Sequence, residues 1–174
     1  MDYRFYMAQI TGEDGEKFTT GNFKDLEAYY PGLRYKQFKG LNSYGNPKVY
    51  SETFAEDDEA LVELGADGQR EQTELTLTLY FIDLDKSDAA GYSSADKAYH
   101  DFMSFIEGHK IAYYDTARKR KAVMYLSSAT TPTTDTLYGV AYKQVDFKFK
   151  NLFGRTFDES NDIFTTLGST NTEK

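Results

Sequence analysis

Two short stretches limit what this chain can fold into. In "ELTLTLYFI", Leu75, Leu77, Leu79 and Phe81 fall on one side of an extended backbone, with Thr76, Thr78 and Tyr80 on the other. In "KQVDFKFKN", Val145, Phe147 and Phe149 alternate with Asp146, Lys148 and Lys150. Successive side chains of a strand point to opposite faces, so a period of two predicts a sheet with one face in the core and one in water. Antiparallel pairing suits this pattern, because parallel sheets are covered on both faces. Weaker strand patterns occur at 33–39, 48–54 and 60–64. The "GADG" at 65–68 predicts a turn into the long strand that begins near Arg70.

The period changes between residues 93 and 108. Ala95, Ala98, Tyr99, Phe102, Phe105 and Ile106 recur at spacings of three and four, while Asp96, Lys97, Asp101 and Ser104 fall opposite them. Ser93 or Ser94 can cap the start and Gly108 can end it, so an amphipathic helix is predicted over about 94–107. A shorter helical pattern at 23–30 stops at Pro31-Gly32. After Gly108, "KIAYYD" and "AVMYL" read as an antiparallel pair with a charged run at its turn. The polar stretch 127–136 reads as a loop joining two strands. The polar stretch 157–174 reads as a C-terminal tail that orders only when something binds it. These elements predict a mainly β (α+β) fold: an antiparallel two-sheet β-sandwich or barrel with one flanking amphipathic helix. Residues 1–156 form its single domain and 157–174 its tail.

At 174 residues the chain can bury a real core. It has 15 Tyr and 13 Phe but no Trp, a balance that favours sheet surfaces and contact surfaces. The absence of Cys removes disulfides, thiol nucleophiles and Cys-ligated zinc. The start "MDYRFYMAQI" has no basic region followed by an apolar run, and no apolar stretch approaches the ~18 residues of a membrane span. Both features point to a protein made in the cytoplasm of its host, without a membrane anchor.

Catalytic chemistry finds no support. His100 and His109 lie in and just past the predicted helix, with no second His at a metal-ligand spacing. A histidine near the last turn meets the helix dipole favourably, and that is the role expected here. Asp83, Asp85 and Asp88 in "DLDKSD" offer oxygens for calcium, but the full twelve-residue loop is missing, and a solvated loop explains them. Nucleophile-elbow, dinucleotide and phosphate-loop motifs are also missing. The expectation is a protein without catalytic residues, metal or cofactor.

Charge is distributed more pointedly. The chain carries a net charge of −8, yet Arg118, Lys119, Arg120 and Lys121 are consecutive. Glu56, Asp57, Asp58 and Glu59 form a matching acidic run between two predicted strands. A pI near 4.8 argues against a sequence-independent grip on DNA. Each run can be a solvated loop, the usual fate of such runs. The sharper reading makes all eight residues subunit-contact candidates, pairing within one copy or between copies. A contact between unlike patches of neighbouring copies builds rings and filaments. Reversing the basic run is then expected to impair assembly while leaving the monomer folded.

The order of elements from "REQTELTLTLYFI" through "SADKAYHDFMSFIEGHKIAYYDTARKRKAVMYL" to "YGVAYKQVDFKFKNLFG" resembles the tail-tube superfamily of bacteriophages. That group comprises tube, distal tail, baseplate-hub and tail-terminator proteins. The resemblance implies a β-sandwich or barrel with one amphipathic helix, assembled as hexameric rings through which DNA passes as cargo. It implies as partners other copies of the chain and other tail proteins. It also implies a place in the virion tail, assembled in the bacterial cytoplasm, and no catalytic residues. The alternative is a stand-alone β-sandwich binding module for glycan or protein, with Tyr113, Tyr114, Tyr125, Tyr138 and Tyr142 as stacking platforms.

Overall fold

A computed structural model describes residues 4–14, 17–46, 49–53, 60–64, 70–84, 94–129, 131–137 and 140–166. The first strands are β1 (Phe5–Asp14), β2 (Lys17–Thr20), β3 (Lys24–Asp25), β4 (Leu33–Lys39), β5 (Val49–Thr53), β6 (Ala60–Leu64) and β7 (Thr73–Ile82). The others are β8 (Lys110–Asp115), β9 (Arg120–Ala129), β10 (Thr133–Leu137), β11 (Val140–Asn151), β12 (Phe157–Asp158) and β13 (Phe164–Thr166). Two helical segments accompany them, the single turn α1 (Leu26–Tyr29) and the longer α2 (Ser94–Ile106).

The fold is mostly β, and its main sheet is curled and mixed. Its strands follow the order β13-β2-β1-β8-β9-β11-β7-β4, with β3 beside β1, β10 beside β11 and β12 beside β9. Every pairing is antiparallel except that of β13 with β2. Strands β5 and β6 form a separate two-stranded hairpin.

The two stretches with period two pair with each other. Tyr142 to Asn151 of β11 face Ile82 to Thr73 of β7 without a break in register. This register aligns Leu75, Leu77, Leu79 and Phe81 with Val145, Phe147 and Phe149 on one face, and all seven are fully buried. The apolar stripe of α2 closes over this face: Phe102 meets Phe147 at 5.0 Å, Phe81 at 6.3 Å and Tyr30 at 5.7 Å, ring to ring. Ala95, Ala98, Phe105 and Ile106 are buried with it, while Lys97, Asp101 and Ser104 face water, as the spacing predicts.

A side chain from outside the helix caps α2. The Asp83 carboxylate accepts from the Ser94 N–H at 3.0 Å and from its hydroxyl at 2.8 Å, satisfying a backbone donor that the helix leaves free. Gly108 takes φ of 75° just past the other end, the left-handed stop expected of it.

Curling brings the terminal strand β4 back toward β1 and β8. Tyr35 and Phe38 of β4 reach across the core to Phe5 of β1 (5.0 Å) and Tyr113 of β8 (5.1 Å). Among the described residues no ladder joins β4 to β1. Instead the continuous segment β3–α1–β4 leaves the edge of β1 and returns on the edge of β7, so one helical turn spans the seam.

Several elements depart from the sequence reading. Strand β1 escapes it because both of its faces are apolar. Phe5 and Met7 enter the main core, while Ala8 and Ile10 enter a second core on the other face, with Phe18, Ala112 and Val123. Residues 127–136, expected as a loop, are mostly strand: β9 runs to Ala129 and β10 covers 133–137. Both lie along one edge of β11, where backbone pairing outweighs the polar composition. Residues 157–166, expected in the tail, are built into the sheet. β12 pairs with β9 and β13 with β2, with Phe157 buried and Ile163 and Phe164 packed on the second core. Three apolar side chains suffice to dock an otherwise polar segment. The turn expected at 65–68 lies outside the described residues.

Phe147 lies where sheet and helix meet, so Phe147→Ala should lower unfolding free energy by about 3–5 kcal/mol, as large aromatic truncations do. The neighbouring Lys148→Ala should stay within about 0.5 kcal/mol. Urea denaturation of the two variants checks the contrast.

Candidate functional site

Strands β8 and β9 are the antiparallel pair expected after α2, and the basic run lies at their turn. Asp115 pairs with Arg120, leaving Thr116 to Lys119 as the loop. Lys119 closes it with φ of 53°, a conformation that L-residues adopt at a cost.

What organises this turn is an acid. Asp115 has no exposed surface, and its carboxylate is surrounded by donors. One oxygen accepts from the backbone N–H of Ala117 (2.9 Å) and of Arg118 (3.0 Å). The other accepts from the Tyr113 hydroxyl (3.0 Å) and the Arg118 guanidinium (2.8 Å). A buried carboxylate is tolerated only with such compensation, and here the backbone and one arginine provide it.

The other members of the run turn to the C-terminal segment. Arg120 donates to the Thr156 hydroxyl at 2.9 Å and to its carbonyl at 2.8 Å, with Asp158 more distant at 3.8 Å. Lys121 donates to the Asn161 carbonyl at 2.9 Å. The backbone N–H of Glu159 donates to the Lys119 carbonyl at 3.0 Å, and the Tyr114 hydroxyl donates to the Glu159 carboxylate. Arg118, Arg120 and Lys121 therefore have partners in their own chain, and of the four only the Lys119 side chain has no hydrogen bond or ion pair among the described residues. The run is a clasp between a hairpin and the strands that follow β11. The segment that carries Glu56, Asp57, Asp58 and Glu59 lies outside the described residues.

Electrostatics follow this geometry. Asp158 is held below the usual carboxylate range, first by the Ser160 backbone N–H and hydroxyl and then by Arg120 and Lys119. Burial raises the Tyr114 hydroxyl, helped by its bond to Glu159.

The other singled-out residues fall apart in space. Asp83 caps α2, whereas Asp85 and Asp88 lie outside the described residues. Among the described residues no group of three or more His, Asp or Glu is placed to hold a metal ion. His100 is exposed on α2 beside Tyr99, and His109 is exposed beyond it. The tyrosines do not form one platform. Tyr113 is in the core, Tyr114 faces the opposite side against Tyr6, Tyr125 binds Gln72 and Tyr142 binds Asp135. Tyr138 lies outside the described residues.

The sequence reading missed one concave site. A cavity of about 570 Å³ lies where α1 and α2 approach beside the seam, lined among others by Lys24, Tyr29, Tyr30, Lys97, Asp101 and Phe105. Lys24 stands over the rings of Tyr29 (4.2 Å) and Phe105 (4.7 Å). The sequence signal was available in part: Lys97 and Asp101 stand together on the wet face of α2. Lys24 and Tyr29 lie in the segment that reads only as a weak helix.

No known family model matches this chain, and no curated protein sequence does.

Two expectations follow from the clasp. Arg118→Glu sets a second carboxylate against buried Asp115 and should destabilise the monomer by about 3–5 kcal/mol, as breaking a buried charge pair does. Reversing the whole basic run is thus expected to unfold the hairpin rather than act on assembly alone; chemical denaturation measures this. In acid, the stabilisation linked to the lowered Asp158 is complete above the ordinary carboxylate pKa of about 4 and is lost as pH falls through the lower folded value. NMR titration should place the Asp158 midpoint below that of a free aspartate, and Ser160→Ala should move it back up.

Proposed function

We propose that this chain is a structural protein whose work is self-assembly rather than catalysis. More particularly, it is a ring-forming subunit of a bacteriophage tail, of the tail-tube kind, with partners that are further copies of itself and other tail proteins. The observation that carries this reading is the arrangement of one amphipathic helix between β7 and β8, closing over a curled sheet that ends in the long β11. That is the element order on which the family resemblance rests. On this reading the curled sheet is the rolled form of the family's two-sheet sandwich or barrel, and α2 is its flanking helix.

Two further features support it. Among the described residues the terminal strands β4 and β13 have ladder neighbours on one side only, and such edges are used up when copies adjoin. The net charge of −8 suits a channel wall that must not hold DNA in transit, since like charge repels phosphate. No helix among the described residues is long and apolar enough to cross a membrane. The place of action is the virion tail, assembled in the bacterial cytoplasm.

Light scattering of the purified chain at rising concentration should show hexameric mass or larger, and electron microscopy should show rings or tubes. A strict monomer at high concentration, with no particles, would sink the reading. Clear hits on a glycan array would favour a binding module instead.

A further inference from the structure

The clasp leaves the acidic run without the partner that composition suggests for it, because Arg118, Arg120 and Lys121 are already engaged. A different pair of cations is free to meet it. Among the described residues neither Lys24 nor Lys97 has a hydrogen bond or ion pair with a carboxylate, and both line the cavity between α1 and α2.

We propose that this cavity is a docking site for the acidic segment that follows β5 in sequence, residues 54–59, of a second copy of the chain. The inference rests on the self-assembly reading and names the contact that drives it.

Three observations converge. Residues 54–59 read "FAEDDE", an aromatic residue and an alanine followed by four acids. The cavity has the complementary order: aromatic walls from Tyr29, Tyr30 and Phe105 beside the ammonium groups of Lys24 and Lys97. Lys24 is only partly exposed and already lies over two rings, so an anion placed there is partly shielded from water and its attraction is less screened. A buried aromatic anchor with charges around it is the usual centre of a contact. The charges then set register.

Strands β5 and β6 pair with each other as a separate two-stranded sheet. Two strands alone are marginal in water, so a hairpin of this kind gains from a partner. The acidic segment and the cavity are different parts of the chain, so each copy offers one of each, and the contact runs head to tail around a ring. Asp101, the acid among the described lining residues, works against the acidic segment.

The test has a binding arm and an assembly arm. A labelled peptide of residues 51–61 is titrated into the full chain by fluorescence anisotropy, with a scrambled peptide as control. Lys24→Glu with Lys97→Glu should weaken binding about tenfold or more, the combined effect of two screened ion pairs. Asp101→Asn should strengthen binding, and a peptide with Phe54→Ala should bind less. In light scattering the lysine pair variant should lose assembly, as should Asp57→Lys with Asp58→Lys, and the combination should partly recover it. If charge reversal disturbs folding by circular dichroism, Lys24→Gln with Lys97→Gln should act in the same direction. A peptide that does not bind, or assembly unchanged in both charge variants, overturns the contact while leaving ring formation standing. A wild-type chain that never assembles overturns ring formation, and the contact between copies with it.

Discussion

The unbroken register between β7 and β11 is the constraint on which the rest of the fold depends. Side chains alternate along both strands, so a slip of one residue would turn Leu75, Leu77, Leu79, Phe81, Val145, Phe147 and Phe149 from core to water. With that register in place, one continuous apolar surface exists for α2 to cover. The curl of the sheet then brings Tyr35 and Phe38 across to Phe5 and Tyr113. The other strands of the main sheet extend this unit edge by edge.

The sequence made this centre legible because each of its parts is wet on one side. A half-buried strand shows a period of two and a half-buried helix a period near 3.6, and β7, β11 and α2 follow those periods closely, while β4 changes phase at an irregularity between Tyr35 and Gln37. Legibility failed where both sides are covered or where pairing needs no pattern. In β1, Met7 and Ala8 are both buried, facing different cores, so alternation vanishes. In β10 and β13, Thr-rich polar segments are held by backbone ladders that any composition can make. Tertiary context also moved the helix cap. The sequence offers Ser93 or Ser94 as the cap; Ser93 lies outside the described residues, and the Ser94 N–H donates to Asp83, eleven residues earlier.

The site was legible in position and obscure in role. Four consecutive cations correctly marked a hairpin turn. Nothing in their spacing showed that Asp115, written as the plain end of an apolar strand, would be the buried group they surround. Burial decides whether a charge is a surface feature or a structural one, and burial depends on segments distant in sequence. Thr156 and Asn161 bind Arg120 and Lys121 from across the chain. The α1–α2 cavity was hidden for the same reason. Its walls come from β1, the seam segment and α2, which only the fold brings together.

The parallel pairing of β13 with β2 has a consequence for how the molecule comes into being. Phe18 to Thr20 leave the ribosome early, and their partners Phe164 to Thr166 leave late. Through most of synthesis, therefore, the nascent chain carries β2 with one edge open and Phe18 without Phe164 packed beside its core. Contacts so distant along the chain form slowly, because the loop between them must close first. Translation thus holds the second core incomplete until the β8–β9 hairpin, β11 and the C-terminal segment have all emerged, making that core the last part of the molecule to mature.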